Sequence, residues 1–488
     1  MMSLSFDPAT VDLPLRHHIG GEFVAADAGI EVRRPSDGAV HGACPVADAT
    51  IVDRAVEAAR EALRQSGWAS ARPRERVRAL HAWADLIMRE AERLGRLESV
   101  ASTRPIAQSI TGDVAITAEQ IRFFAEFADK EGGDLVPTAA DKLGFVQDEP
   151  HGVVGAITPW NFPVSMAGWK LGPALAAGNA VVLKPSEMTP HSALMLAELA
   201  VKAGLPKGLV NIVLGDGATT GSAITAHPGI AKVSFTGSTA AGAAIMANVA
   251  RTGIKPMTLE LGGKSPQMVF GDADLELAAE CVARGILANA GQVCVAGSRL
   301  LVEAPVADEI VDRIRKRFGE IAAGPTWHES TSYSPIVSER QLARIDMIVT
   351  AAKEHGAEVL TGGSRIDRPG YFYQPTLLAN VDERSPAVTE EIFGPVLSVQ
   401  RFDTEEEAVG LANRSSYGLC SGVYTRDLSR AVRMSRAMEA GTVWVNRYGR
   451  SMDHILPTGG FKGSGLGKDL GRQVYRENRR TKSVLIDL

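Results

Sequence analysis

Apolar positions recur along this chain with two different spacings, and the spacing changes near Gly152. Ahead of that glycine the helical period dominates. Val52, Ala55, Val56, Ala59 and Leu63 share one helical face, which predicts a helix from Thr50 with Asp53 as a capping-box variant. Similar stripes predict helices over residues 74–97 and 111–127, whose Leu and aromatic positions read as core. A short strand over 19–24, interrupted by Gly20-Gly21, precedes them, followed by a turn at Pro35-Ser36-Asp37-Gly38. Between Glu131 and Val154 the pattern breaks into short β-like pieces. Residues 145–149 alternate as an edge strand or protruding hairpin does, and such a hairpin needs a partner surface.

From Gly152 onward strand, turn and helix repeat. Strands are predicted over 153–157, 180–183, 210–214 and 230–235, with a helix from Thr189, Pro190 at its first position, to Gly204. Strands alternating with helices imply a parallel sheet covered on both faces, with ligands beyond the strands' carboxyl ends. A second alternating series follows: a strand over 300–302, helices from about Ala307 and Glu339, and a helix from Thr404 capped by Glu407. A strand over 419–424, a helix over 428–438 and a strand over 442–445 complete it, and residues 482–486 return to β-like character. The fold class is therefore α/β, with a Rossmann-like parallel-sheet domain, a second α/β domain and a small β element. The β-like tail would add a strand to a sheet in this subunit or a neighbouring one.

Composition changes little in this picture. At roughly 150 residues per domain, 488 residues suggest about three units. A net charge of -5, with no long block of like charge, makes nucleic acid and anionic membrane poor partners and a small molecule a better one. The start of the chain, with Asp7, Pro8 and Asp12, lacks the basic and apolar regions of a secretory signal. The richest apolar window, 171–183, is broken by Pro173, Gly178 and Asn179. Four cysteines (Cys44, Cys281, Cys294, Cys420) form neither a disulfide framework nor a zinc spacing, so reduced thiols, a cytoplasmic setting and no metal are expected.

The chemistry concentrates between Thr258 and Arg299. Glu260 stands in Leu-Glu-Leu-Gly-Gly and Cys294 in Gly-Gln-Val-Cys-Val-Ala-Gly-Ser-Arg. A thiol that attacks and a carboxylate that manages protons are the minimum for covalent catalysis, although a lone cysteine is as readily a small buried hydrophobe. The predicted strand ends are polar: Thr158-Pro159-Trp160-Asn161, Lys184-Pro185-Ser186-Glu187, Gly215-Asp216-Gly217 and Phe235-Thr236-Gly237-Ser238. Glycine turns from strand to helix suit an anion, but the strict dinucleotide fingerprint is absent. Lys184 and Glu187 would bond ribose hydroxyls, or form only an exposed ion pair.

Six motifs in order resemble those of the aldehyde dehydrogenase superfamily. They are Pro159-Trp160-Asn161-Phe162-Pro163, Lys184-Pro185-Ser186-Glu187, Phe235-Thr236-Gly237-Ser238, Leu259-Glu260-Leu261-Gly262-Gly263, the Cys294 segment, and Glu391-Ile392-Phe393-Gly394-Pro395. The resemblance runs from Ile19 to about Leu470. It implies that Cys294 is the nucleophile, Asn161 an oxyanion donor, Glu260 the general base for thioester hydrolysis, and Lys170 a lysine on its proton path. Relatives that pass the acyl group to coenzyme A commonly lack the glutamate, so hydrolysis is expected. The resemblance assigns cofactor contacts to Trp160, Lys184, Glu187, Gly215, Phe235, Gly237, Ser238, Leu261, Glu391 and Phe393. Trp160 falls to the adenosine half, Glu391 and Phe393 to the nicotinamide ribose. The Glu187 carboxylate favours NAD over NADP, with NADP possible if it turns away.

The same resemblance lines the substrate pocket with Phe162, Met166, Trp169, Val293, Val295 and the loop 447–458. Many relatives have Pro-Phe before Gly459-Gly460, whereas this chain has Pro457-Thr458. Arg447, Arg450 and His454 would attract a carboxylate-bearing aldehyde, or stand solvated. The implied domains are 1–127 with 150–261 for NAD, 262–470 for catalysis, and 128–149 with 471–488 for assembly as a homodimer or homotetramer. The resulting expectation is NAD-dependent oxidation of an aldehyde to an acid. Alternatives are an NADP-linked semialdehyde dehydrogenase, a cofactor-independent thiol esterase, or a non-catalytic binding protein on this fold.

Overall fold

The computed structural model describes residues 3–27, 29–450 and 454–488. Its N-terminal part follows the helical stripes, with shifted ends. The first long helix is Ala49–Ser66, and its cap is Asp48 rather than Thr50: the Asp48 carboxylate accepts from the Ile51 N–H at 2.9 Å. The stripe over 74–97 is two helices, Pro73–Arg89 and Ala91–Ala101, parted at Glu90. The stripe over 111–127 opens as a wide turn, Ser109–Val114, before the regular helix Ala115–Ala125. A buried pair holds that wide turn, since Arg104 donates to Asp113 at 2.7 Å. The helix expected from Thr189 begins two residues later, as His191–Lys202 with Pro190 at its cap.

The first sheet has the strand order Glu22–Val24, His17–Ile19, Val210–Ile212, Ala180–Lys184, Val153–Ile157, Lys232–Thr236, Met257–Glu260, Gly465–Leu466. The five strands from Val210–Ile212 to Met257–Glu260 are parallel. Chain order reverses at Val153–Ile157, where doubly wound sheets bind ligands. Gly20-Gly21, at φ 64° and 84°, folds the strand predicted over 19–24 into a hairpin that closes one edge. Val153–Ile157 and Ala180–Lys184 are buried throughout, as expected of continuous apolar runs in a parallel sheet.

The second sheet runs Glu358–Thr361, Thr376–Ala379, Val396–Phe402, Arg299–Glu303, Pro266–Val269, Cys420–Tyr424, Thr442–Val445, parallel except at its first edge. Four of these strands, Glu358–Thr361, Thr376–Ala379, Val396–Phe402 and Pro266–Val269, were not among those predicted. Strand Met257–Glu260 of the first sheet leads through residues 261–265 straight into Pro266–Val269 of the second. Carboxyl ends of one sheet therefore face amino ends of the other. Buried Arg299 fixes the link, donating to the carbonyls of Lys264 (2.9 Å), Leu411 (2.8 Å) and Ala412 (2.9 Å).

The chain's last strand, Arg479–Asp487, pairs along its whole length with Lys142–Pro150, which also pairs with Asp134–Val136. The tail thus completes a sheet in its own subunit, and Leu135 and Leu485 are exposed on it. No helix among the described residues is long and apolar enough to cross a membrane.

Candidate active site

Cys294 is positioned by an unusual backbone. Helix Leu275–Leu287 ends, and the chain passes through three left-handed residues: Asn289 (φ 48°), Ala290 (φ 51°) and Gly291 (φ 72°). For non-glycine residues this conformation costs roughly 1–2 kcal/mol each, so surrounding contacts must impose it. Thr103 donates to the Asn289 side-chain carbonyl at 2.7 Å, and the Asn289 amide donates to the Asn161 carbonyl at 2.9 Å. Gln292 is fully buried; its amide donates to the carbonyls of Asn289 and Pro335, and its side-chain oxygen accepts from the Val337 N–H, all at 2.9 Å. The turn is thereby tied to three distant segments, at Thr103, at Asn161 and at residues 335–337.

The thiol this turn presents is half-buried and unpaired with any other cysteine. Burial raises its pKa; the Arg450 guanidinium opposes that rise, the carboxylates of Glu260 and Glu391 add to it, and the Val295 N–H lowers it. Cys44, Cys281 and Cys420 are buried in the core. Asn161, also buried, donates one side-chain N–H to the Gln292 carbonyl at 2.9 Å, leaving the other for a second acceptor. Both residues line one cavity of about 970 Å³, which reaches from the glycine turn Thr236–Ala240 to Trp169 and the loop beyond Trp444.

Glu260 is buried at the end of its strand, close enough for its carboxylate to raise the Cys294 pKa, and a Cβ on Gly459 would fall 2.7 Å from its Oε1. Burial, then the Asp469 carboxylate, push its pKa up to about 8, while Lys170, Arg450 and Lys468 pull it down. Lys170 and Asp469 form an ion pair with both side chains only 2% exposed. Thiol, carboxylate and ion pair are thus within electrostatic reach of one another. Asp469 is absent from the residues expected to act; with its partner 299 positions away, no local spacing announces it.

At the opposite end of the cavity, Gly237, Ser238, Thr239 and Ala240 form its wall. Ser238 caps helix Thr239–Thr252, accepting from Ala241 N–H at 3.2 Å, and no acidic side chain occupies the first turn. A Cβ at Gly237 would lie 2.5 Å from the Phe235 ring, and one at Gly242 2.6 Å from Leu261, so both glycines let the turn close on those side chains. Free N–H groups at such a helix start suit a phosphate. Lys184 is buried rather than the exposed partner a simple surface pair would be: its ammonium donates to the carbonyls of Pro185 and Gly215 at 2.8 Å and stands 3.7 Å from Glu187. A lysine and a carboxylate beside an anion-binding turn form a donor set that fits a dinucleotide's ribose and pyrophosphate.

Glu391 is half-buried, accepts from Gly263 N–H at 3.0 Å, and has its pKa pushed up to about 7, desolvation being the main cause. Its loop is clamped by Arg344, which donates to the Glu391 carbonyl at 2.8 Å, and by Gln341, which donates to the carbonyls of Ile392 and Phe393 at 3.0 Å. Trp160 and Phe393, assigned by resemblance to opposite halves of the cofactor, meet edge to face with centroids 5.2 Å apart.

Phe162, Met166, Trp169, Val293, Val295 and Thr458 all line the other end. Arg104 lies over Phe162 at 4.5 Å, and Arg450 over Trp169 at 4.3 Å. Within the loop 447–458 expected here, residues 451–453 lie outside the described residues. Asn289, Gln292, Gln341, Arg344 and Asp469 were missed by motif reading. Only Gln292 had a visible signal, its place two residues before the thiol.

Comparison with known proteins follows the same line. The model of the aldehyde dehydrogenase family matches residues 23–484. Aldehyde dehydrogenases of Davidiella tassiana and Aspergillus niger are 41% and 42% identical over 472 and 473 residues, covering 96% of this chain and 95% of each relative. Two solved structures superpose with TM-score 0.96 at 39% identity. One is indole-3-acetaldehyde dehydrogenase of P. syringae in complex with NAD+ and IAA, covering 99% of this chain and 98% of that one. The other is the NAD+ complex of an aldehyde dehydrogenase from Bacillus cereus, with full coverage of both.

Proposed function

The chain belongs to the aldehyde dehydrogenase family, and we propose that it oxidises an aldehyde to a carboxylic acid with NAD, through a thioester on Cys294 that water then cleaves. The observation carrying this reading is the shared cavity: Cys294 and Asn161 face it midway between an anion-binding glycine turn and an apolar recess. NAD, when bound against the turn 236–240, supplies the acceptor for the hydride that converts the thiohemiacetal to a thioester. Glu187 beside Lys184 favours a free ribose hydroxyl over a phosphate, hence NAD over NADP.

The chain's own residues account for the rest. Cys294 reacts as the thiolate, its proton having passed to solvent, and its sulfur bonds to the aldehyde carbon, moving the carbonyl electrons onto oxygen. The free N–H of Asn161 and the Cys294 backbone N–H stabilise that oxyanion. In the second half, water adds to the thioester carbon as Glu260 takes its proton, and the carbon–sulfur bond breaks to return the thiolate and release the acid. A carboxyl held near 8 is a stronger base than an ordinary glutamate, which suits removal of a proton from water. The buried Lys170–Asp469 pair beside Glu260 tunes how readily that carboxyl takes the proton.

Rapid-mixing assays of NADH formation test this. Cys294→Ala abolishes oxidation while retaining NAD binding. Glu260→Gln gives one burst of NADH per active site and then stalls at the thioester. Normal turnover by the variant lacking the thiol would sink the mechanism. Hydrolysis of esters at full rate with no NAD-dependent oxidation would instead favour the esterase alternative.

A further inference from the structure

The recess beyond the thiol is mostly apolar, yet its wall carries a fixed positive charge. Arg450 lies with its guanidinium 4.3 Å from the centroid of Trp169, and one of its nitrogens donates to the Thr458 hydroxyl at 2.9 Å. Trp169 and Thr458 are themselves buried, so the guanidinium is held by a rigid ring on one side and a fixed acceptor on another. Arg450 is itself exposed, but the ring and the hydroxyl constrain it in a way that a merely solvated arginine is not constrained. Among the described residues no carboxylate lies within ion-pair distance of Arg450.

The other arginines at this end differ. Arg284 donates to the Tyr448 carbonyl at 3.3 Å and lies 3.7 Å from Glu280, and exposed Arg447 bonds only the nearby Gly449 carbonyl at 3.3 Å. The acidic side chain on this wall, Asp113, is neutralised by Arg104. Arg450 thus lines the cavity with no carboxylate in ion-pair reach among the described residues, and it is the foremost charge acting on the Cys294 thiol.

Resting on the oxidation proposed above, we propose that Arg450 is the anchor for a carboxylate on the substrate, so the preferred substrates are short aldehydes bearing a second, anionic end. The guanidinium fork accepts a planar carboxylate through two parallel N–H bonds, which an ammonium does not reproduce. Trp169 and Thr458 already fix the arginine, so little of its side-chain freedom is lost on binding. A carboxylate docked there with the aldehyde carbon on Cys294 fills the recess between them.

The test uses the intact enzyme with NAD and reads NADH as kcat/KM. Succinic and glutaric semialdehydes are compared with the uncharged butanal and pentanal. Wild type is expected to prefer the semialdehydes, and Arg450→Met to lower the ratio of charged to uncharged kcat/KM by about tenfold to a hundredfold, the effect of one charged hydrogen bond. The ratio matters because Arg450 also acts on the thiol: losing that effect slows every aldehyde alike and cancels. Arg450→Lys should fall between the two, keeping charge without the fork. Equal use of both classes by wild type, or a ratio unchanged in Arg450→Met, overturns the anchor while leaving aldehyde oxidation intact. Absence of NADH with every aldehyde overturns the oxidation reading itself and the anchor with it.

Discussion

Asp469→Asn perturbs the base without touching the cavity. The Lys170–Asp469 pair is buried on both sides, and removing one partner of such a pair costs about 3–5 kcal/mol, because the other charge is left without compensation. The kinetic consequence has a definite sign. The Asp469 carboxylate is, after burial, the largest influence holding Glu260 protonated, and Lys170 is the largest opposing it. With the carboxylate gone and the ammonium unopposed, the Glu260 pKa falls from about 8 by about one pH unit or more. Steady-state turnover is followed from pH 5.5 to 9.5 under conditions where hydrolysis limits, together with urea unfolding. The acidic limb of the kcat profile should move to lower pH as the urea midpoint drops, and the plateau should fall because a weaker base removes the proton less well. Asp469→Glu restores charge and should return the limb toward its original position. A limb that stays in place, or moves upward, in folded Asp469→Asn refutes the electrostatic account of Glu260.

Two further outcomes follow from buried polar groups outside the cavity. Gln292→Leu strands the carbonyl of Pro335 and the N–H of Val337, at about 1–3 kcal/mol for each group left unpaired, while the Asn289 carbonyl keeps its bond from the backbone N–H of residue 292. Its urea midpoint should fall, and the rate of Cys294 alkylation by iodoacetamide should change as the left-handed turn relaxes; wild-type values for both would show that the amide positions nothing. Glu98 is buried with its pKa pushed up to about 8, burial being the main cause. The folded state holds that proton to about pH 8 while the unfolded state releases it near 4.5, so this group's contribution to stability declines as pH rises between those values. Glu98→Gln removes the slope. Relative to wild type the variant should gain up to about 1.4 kcal/mol per pH unit from pH 5 to 8, read by urea unfolding, and a pH-independent difference would show that Glu98 ionises normally.

How much of this was visible in the residues depends on whether the signal is local. Apolar periodicity and strand–turn–helix alternation gave the α/β class and the strands from Val153 to Thr236, because a buried parallel strand writes itself as a continuous apolar run. The thiol, the carboxylate and Asn161 stood out through short motifs. Element ends were less legible: Asp48 and Thr50 are both good caps, and only the backbone decides between them. The strands Pro266–Val269 and Val396–Phe402 were missed because polar residues such as Gln267, Ser398 and Gln400 break their apolar runs, whereas unbroken runs of similar length were legible. Asp469 and Gln341 act on partners far away in sequence, and distance of that kind leaves no spacing to read.

The most consequential feature, the join between the sheets, lies in a five-residue segment with no chemistry of its own. Residues 261–265 carry the chain from the carboxyl end of Met257–Glu260 to the amino end of Pro266–Val269 without a helix between. A crossover helix would have placed the next strand in the same sheet and Cys294 on the far side of it. The direct link instead starts a new sheet, so the turn before Arg299–Glu303 opens toward the glycine turn after Lys232–Thr236. Gly262 and Gly263 make this close approach possible. A Cβ on Gly262 would fall 2.3 Å from a Glu391 oxygen, and one on Gly263 2.5 Å from the Cys294 carbonyl. The two glycines beside Glu260 are therefore what lets the thiol, the Glu391 loop and the first sheet share one cavity, which explains why the Leu-Gly-Gly run follows the glutamate directly.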